Sequence, residues 1–218
     1  MPKLNLSADD VLTTTRAVRK RMDFDKPIEM STIEECLEIA LQAPTGSNGQ
    51  QWEWVVVTDP EKIAAIGAMY QQGFAAYLEM EGSVKSIYKG DDPERIAQQE
   101  RVTESAQYLA DNMHRCPALL IPVLPMKMDG LPNAVNAAMY AGAMPAAWSF
   151  CLAARERGIG TSWTSIHLFF EEQIAELLGI PFAETSQIAL IAMAYTKGTD
   201  FKLAKREPLE NSLHVNAW

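Results

Sequence analysis

An uncharged stretch of eighteen residues, 137–154 (AAMYAGAMPAAWSFCLAA), limits the fold of this chain more than any other feature. It is long enough for a membrane-spanning helix. However, many of its side chains are small, Pro145 interrupts its middle and both flanks are polar, so its transfer into lipid would release little free energy. We therefore predict a buried helix, at the centre of a domain or at a subunit interface.

The composition is typical of one globular domain over residues 1–218. The chain is 48% hydrophobic and 22% charged, which is enough apolar material for a sizeable core. Its 28 acidic and 19 basic side chains give a formal charge of −9, which argues against a nucleic-acid partner because such binding needs a basic surface. An anionic ligand would therefore need a local cluster of positive charge.

The cysteines and histidines show no pattern of a metal site. Cys36, Cys116 and Cys151 lie far apart without a CxxC pair, and none of the three histidines has HxxxH or HExxH spacing. No basic and then apolar leader opens the chain. We expect reduced thiols, no bound metal, no membrane partner and a cytoplasmic location.

Hydrophobic spacing and turn residues predict an alternation of helices and strands. The predicted helices cover 8–22, 31–41, 61–81, 93–114, 133–157 and 171–178, and the predicted strands cover 52–58, 118–124, 159–164 and 187–195. This order favours an α+β or α/β sandwich in which helices cover both faces of one sheet.

Four cations stand within the six positions 16–21 (RAVRKR), at the end of the first predicted helix. On a helix Arg16, Arg19 and Lys20 would share one face, because they are three and four residues apart. The cluster is either an anion site, since guanidinium groups bind phosphate in a bidentate manner, or a solvated helix end. A second basic cluster, 202–206 (KLAKR), could meet it on one phosphate.

Two polar segments are further candidates for ligand contact. The loop 44–51 (PTGSNGQQ) offers backbone N–H groups and side-chain amides, which suit a flat heteroaromatic ring, although a plain helix-to-strand connection has the same composition. The run 161–165 (TSWTS) offers hydroxyl groups and Trp163 at the end of a predicted strand. Ligands of sandwiched sheets gather at such strand ends.

Three motifs in order resemble those of the FMN-dependent nitroreductases, a superfamily that also contains flavin reductases and iodotyrosine deiodinase. Residues 16–19 (RAVR) are similar to its Arg-Ser-x-Arg signature, 43–52 (APTGSNGQQW) to its Ala-Pro-Ser-x-x-Asn-x-Gln-Pro-Trp loop, and 206–209 (REPL) to its Arg-x-Pro-Leu. The resemblance covers nearly the whole chain. It implies an α+β fold, a three-layer α/β/α sandwich with a central, mostly antiparallel sheet, in an intertwined homodimer with two FMN sites at the interface.

The resemblance assigns roles to the residues at matching positions. Arg16 and Arg206 would hold the FMN phosphate, and Arg19 would lie near the pyrimidine edge and favour negative charge there. Thr164 or Ser165 would lie near the flavin N5, the atom that receives hydride. The other cofactor contacts that the resemblance implies are Ala17, Pro44, Thr45, Gly46, Asn48 and Trp163. The loop residues among them would come from the opposite subunit.

The segment 70–108 lies where the family has its variable lid. Its Tyr70 and Phe74, together with Ser47, are the expected substrate contacts, although aromatic residues at helical spacing also suit core packing. The Glu, Tyr and Lys clamp of the deiodinase is not visible in the lid, which disfavours iodotyrosine as substrate. The tail 200–218 ends in apolar residues and is expected to dock on the partner subunit.

The chain departs from the family's motifs at three positions. Ala17 replaces the common Ser, Thr15 stands where many members have another Arg, and Gln51 replaces the usual Pro. We therefore expect a rearranged phosphate contact.

The resemblance implies an enzyme that passes hydride from NADH or NADPH through FMN to a small nitroaromatic, quinone or activated-alkene acceptor. Two alternatives within the superfamily's fold remain: a specialised branch, such as a reductive dehalogenase or a flavin-consuming enzyme, and an FMN-binding protein without turnover. An acidic scaffold without any cofactor is a further alternative.

Overall fold

A computed structural model describes residues 3–218 of the chain. The α-helices are α1 (Ala8–Thr14), α2 (Met30–Ala40), α3 (Pro60–Leu78), α4 (Pro93–Asn112), α5 (Asn133–Glu156) and α6 (Glu171–Leu178). The strands are β1 (Met22–Asp23), β2 (Glu53–Val57), β3 (Ala118–Leu124), β4 (Ile159–Thr164), β5 (Ser186–Gln187) and β6 (Leu190–Thr196).

The four longer strands form an antiparallel sheet in the order β4-β6-β3-β2. Met193 of β6 lies opposite Thr161 of β4 on one side and Ala118 of β3 on the other. The short strands β1 and β5 extend the sheet by antiparallel pairing with the ends of β6 and β3. The expected antiparallel sheet is thus confirmed.

Helices cover both faces of the sheet, which confirms the three-layer α+β sandwich. Alternate side chains of β3 enter different cores: Leu119 and Ile121 pack with α3, α4 and α6, whereas Leu120 packs with α2 and α5. Because both faces are buried, the central strands have nearly continuous apolar sequences.

Helix α5 contains the uncharged stretch, and the prediction of a buried helix is correct for one of its faces. Ala143, Ala146, Ala147 and Phe150 are buried against the sheet and its neighbours. The opposite face remains exposed and is formed by Ala137, Ala138, Ala141, Met144, Pro145 and Trp148. Among the described residues α5 alone has the length and composition of a membrane span, and its buried face packs it on the sheet.

The predicted helix 8–22 is wrong beyond Thr14. Three successive threonines, 13–15, have low helix propensity because their β-branched side chains lose freedom in a helix. Thr15 already has extended backbone angles, and Val18 N donates to the carbonyl of Thr161 at 2.8 Å. The basic segment therefore runs beside β4, and its cations do not share a helical face.

Several smaller boundaries also differ from the prediction; the largest of these differences in a helix is that α3 ends at Leu78 rather than at residue 81. The predicted strand 187–195 is divided, because only Ser186–Gln187 and Leu190–Thr196 pair with neighbouring strands. Helix α2 begins at Met30, and Glu29 precedes it without a side-chain cap, so the predicted start at Ser31 is one residue late.

Candidate active site

A cavity of about 560 Å³ lies between α3, α4 and the turn Ile166–Phe170 that follows β4. Its walls are mainly aromatic and aliphatic, and Arg19 is the one charged residue among them. Six residues of the predicted site line this aromatic cavity: Arg19, Tyr70, Phe74, Trp163, Thr164 and Ser165. The structure thus brings together residues that lie up to 146 positions apart.

Hydrogen bonds hold Thr164 at the edge of the aromatic cavity. Its Oγ1 lies 3.1 Å from the hydroxyl oxygen of Tyr70 and accepts a bond from Ile166 N at 3.3 Å. A hydroxyl group has two acceptor sites and one proton. If Tyr70 donates, both acceptor sites of Thr164 are used and its proton is available to a ligand in the cavity.

Tyr70 is itself buried, and its ring stacks on Phe74 with ring centroids 6.4 Å apart. Burial raises the pKa of Tyr70, while the hydrogen bond with Thr164 and the charge of Arg19 act in the opposite direction. Because the net pKa is raised from an already high ordinary value, the phenol stays protonated at neutral pH and can donate.

Arg19 is half-buried at one end of the cavity. Burial lowers the pKa of its guanidinium, and the nearby Tyr70 partly offsets this. No carboxylate pairs with Arg19 in residues 3–218. A desolvated cation without a counter-charge favours a ligand that is anionic or rich in electrons.

A second cavity, of about 480 Å³, shares Arg19 with the first and is lined by the segment 16–21, Ser105 and residues 200–202. In this cationic pocket two charges are neutralised: Lys20 pairs with Glu104 at 3.2 Å and Arg21 with Asp200 at 2.6 Å. Both partners lie far away in the sequence.

Arg16, like Arg19, has no carboxylate partner within residues 3–218. It donates to the carbonyl of Lys202, but its Nε is buried and makes no hydrogen bond within the described part of the chain. An unsatisfied charged donor costs free energy unless an anion reaches it. Ala17 lies beside Arg16 and bridges to Thr161 of β4, so the pocket is attached to the sheet.

The predicted loop 44–51 lies elsewhere. Thr45, Gly46 and Ser47 line a small cavity of about 190 Å³ against the exposed face of α5, while Pro44 and Asn48 are exposed. The loop therefore does not meet the aromatic cavity within one chain.

Three loop residues have left-handed backbone angles that disfavour side chains: Ser47 (φ 52°), Asn48 (φ 54°) and Gln50 (φ 47°). Such strain costs about 1–3 kcal/mol per residue and is common in ligand-binding segments.

Arg206 also lies apart from Arg16 and lines a third cavity with Arg95 and Arg101. Ion pairs explain this, since Lys205 contacts Glu94 of α4 at 2.8 Å and Glu207 contacts Arg95 at 3.2 Å. The two arginines expected on one phosphate are thus separated within a single chain. Beyond them the apolar end of the tail is exposed at Leu209, Leu213, Val215 and Trp218.

Several residues that line the aromatic cavity were not predicted from the sequence. Val102 and Ala106 of α4 line it, as does Phe169. The spacing of four between Val102 and Ala106, on a mostly polar helix, was the available signal.

Thiol and metal chemistry find no support at these cavities. Within residues 3–218 no group of three His, Cys, Asp or Glu side chains could hold a metal ion. The three cysteines are free and buried, and burial raises the pKa of Cys36 and Cys151 to about 11 and that of Cys116 to about 12. Protonated thiols are poor nucleophiles.

Fold and cavities together define an α+β protein in which an aromatic cavity adjoins a cationic pocket at Arg19. Solved structures share the fold. A nitroreductase-like protein from Bacillus cereus aligns with a TM-score of 0.65 at 16% identity, over 99% of this chain and 98% of that chain. The FMN- and NADPH-dependent nitroreductase NfnB from Sphigopyxis sp. strain HMH aligns with a TM-score of 0.65 at 19% identity, over 98% of this chain and 100% of that chain.

Oxidized iodotyrosine deiodinase bound to FMN and 3-iodo-L-tyrosine aligns with a TM-score of 0.69 at 16% identity, over 96% of this chain and 99% of that chain. No curated protein matches the sequence. The model of the Nitroreductase family matches residues 12–195, and the chain therefore belongs to that family.

Proposed function

We propose that this protein is an FMN-dependent oxidoreductase that passes hydride from NADH or NADPH to a small nitroaromatic, quinone or activated-alkene acceptor. Family membership supports the class of enzyme, and the fold is shared with FMN-binding proteins. One observation carries the proposal: an aromatic cavity joins, at Arg19, a pocket in which Arg16 has no counter-charge.

The residues present fit FMN. The buried and unsatisfied Nε of Arg16 would donate to the phosphate, because guanidinium groups form strong charge-assisted bonds with phosphate oxygens. The aromatic cavity is of ordinary size for a ligand site and would accept the flavin ring beside Trp163, Thr164 and Ser165.

A homodimer would complete the site. The exposed face of α5 consists mainly of small and apolar side chains, and the loop residues Thr45, Gly46 and Ser47 lie against that helix. A second copy packed on α5 would bring its own loop towards the first copy's cleft. Pro44, Thr45, Gly46 and Asn48 would then contact the flavin, Ser47 would contact the substrate, and the apolar tail would gain a partner surface.

The chain's own residues would prepare the reaction. When bound, FMN would supply the hydride chemistry between the nicotinamide and the acceptor. Arg19 would stabilise negative charge at the pyrimidine edge, and the Thr164 hydroxyl, fixed by Tyr70 and Ile166 N, would donate a hydrogen bond near N5. Tyr70 and Phe74 would offer parallel aromatic rings to a flat acceptor.

The absorption spectrum of the purified protein, followed by titration with FMN, tests the proposal. We expect Arg16→Met to weaken FMN binding by roughly 100-fold, since it removes charge-assisted bonds worth about 3 kcal/mol. Lys20→Met is the matched control, because Lys20 is exposed and paired with Glu104. A colourless protein that neither binds FMN nor gains stability from it would refute the proposal.

Anaerobic reduction separates the alternatives within the fold. Bleaching of the bound flavin by NADH or NADPH, followed by reoxidation by a quinone, is the expected result. Tight FMN binding without NAD(P)H oxidation would instead indicate a binding protein, and reduction only by another donor would indicate a specialised branch such as a reductive dehalogenase.

A further inference from the structure

Arg155, near the C-terminal end of α5, joins two segments that lead into the cationic pocket. Only 5% of its surface is exposed. Its Nη2 donates to Thr14 Oγ1 at 3.2 Å and to the carbonyl of Thr199 at 3.0 Å, and its Nε lies 3.3 Å from the same Oγ1. Its guanidinium also lies 4.9 Å from the centroid of the Phe201 ring. One side chain thus connects the end of α1 to the start of the tail.

These contacts lead directly to Arg16. Thr14 precedes Arg16 by two residues, and Thr199 precedes Lys202, whose carbonyl accepts a hydrogen bond from Arg16. The position of the Arg16 guanidinium therefore depends on two segments that Arg155 holds.

The charge of Arg155 is only partly compensated. Burial lowers the pKa of its guanidinium, and the positive charges of Arg21 and Arg16 lower it further, while the carboxylates of Glu156 and Asp10 act in the opposite direction. Its Nη1 is buried and finds no hydrogen-bond partner in the described residues, as is true of Arg16 Nε. Two neighbouring guanidinium groups thus each keep a buried nitrogen without a hydrogen-bond partner, which leaves positive charge at the pocket uncompensated.

Arg157, two positions further along the chain, shows the contrast. It is as buried as Arg155, at 4% exposure. Its Nε and Nη2 donate to the two carboxylate oxygens of Glu35 at 3.0 and 2.6 Å, and Nη1 donates to the carbonyl of Ala153 at 2.8 Å. Every nitrogen of Arg157 is satisfied within the protein, whereas Arg155 has no carboxylate partner in the part that the structure describes.

We propose that Arg155 is a positioning residue of the cationic pocket that makes the site select a phosphorylated flavin over an unphosphorylated one. The inference rests on the proposed function. Arg155 places Arg16 through Thr14 and the tail, and its buried charge adds to the positive potential that a phosphate dianion meets. A flavin without a phosphate gains from neither effect.

Dissociation constants for FMN and for riboflavin, measured by flavin fluorescence, test this inference. We expect Arg155→Met to weaken FMN binding by roughly 10- to 100-fold and riboflavin binding by less than about 3-fold. Arg155→Lys keeps the charge but not all of the bonds, so it should recover part of the preference for FMN. Arg157→Met is the matched control and should leave the ratio of the two constants unchanged.

An equal loss of FMN and riboflavin binding in the Arg155 variants would overturn the inference, because a residue that only supports the fold would affect both ligands alike. If Arg155→Met does not fold, the ratio measured with Arg155→Lys decides. A wild-type protein that binds neither flavin would refute the proposed function itself. Wild-type binding of both, with an unchanged ratio in the variants, would refute only the role of Arg155.

Discussion

The candidate site has two parts, and each contains an unfavourable feature of a different kind. The first, the cationic half, is the cationic pocket, and buried guanidinium nitrogen atoms without hydrogen-bond partners lie in it at Arg16 and next to it at Arg155. The second, the loop half, is the segment 44–51, whose polar groups reach solvent but whose backbone is left-handed at Ser47, Asn48 and Gln50. In the cationic half, buried charge without a partner costs free energy. In the loop half, the left-handed backbone angles cost free energy.

This difference shows what each half lacks. Buried cations without counter-charges need an anion, which a ligand supplies. A strained and exposed loop needs a contact surface that holds its conformation, which a second subunit and a shared ligand would supply. The two halves line separate cavities of one chain, so in the proposed dimer each would be half of a site.

The largest expected effect comes from keeping the two halves apart. Ala141→Arg places a charge on the exposed face of α5, where a partner helix would have to bury it at a cost of several kcal/mol. We expect a monomer in sedimentation experiments and FMN binding weakened by roughly 100-fold or more, because the loop half is lost. Ala64→Arg, on the exposed side of α3, is the control. A dimeric Ala141→Arg protein with normal FMN affinity would contradict the dimeric site.

A smaller effect should arise from His167 in the turn after β4. The side chain is fully buried, neither ring nitrogen has a hydrogen-bond partner among the described residues, and burial lowers its pKa to about 3. Above pH 6.5 the imidazole is neutral in the folded and unfolded states. Below that value only the unfolded chain takes up the proton. The free energy of unfolding therefore decreases as the pH is lowered from 6.5 to about 3.

We therefore expect wild-type protein to lose about 2 kcal/mol more than His167→Leu between pH 7 and pH 5, in urea unfolding experiments. His114→Gln, at an exposed position, should retain the wild-type dependence. Parallel pH curves for wild type and His167→Leu would show that the buried imidazole does not carry this electrostatic cost.

The smallest effect concerns the loop half. Ser47→Gly should raise the free energy of unfolding by about 0.5–1 kcal/mol. Glycine adopts positive φ without the steric strain of serine, and this gain is partly offset because glycine has more conformational entropy in the unfolded chain. Thr45→Gly, at φ −131°, should instead destabilise the protein. Urea unfolding of the two variants measures this, and equal destabilisation by both would argue against strain at Ser47.

Several elements could be predicted from the sequence to the residue. The strands 118–124 and 159–164 and the helix 171–178 agree with the structure because short apolar runs and turn residues mark their ends. The predicted helix 8–22 is correct only as far as Thr14, since the threonines 13–15 weaken it locally and the hydrogen bond from Val18 N to the Thr161 carbonyl holds the rest beside β4. The same hydrogen bond decides where the cations of the segment lie.

By itself the sequence determined the alternation of helices and strands, the three family motifs and the presence of four cations within the six positions 16–21. Only the tertiary structure decided which of those cations are neutralised. Glu104 and Asp200 pair with Lys20 and Arg21, whereas Arg16 is left with the buried Arg155 as a neighbour. The free energy of a charge depends on its burial and on groups within a few ångströms, and the fold brings those groups from distant parts of the chain.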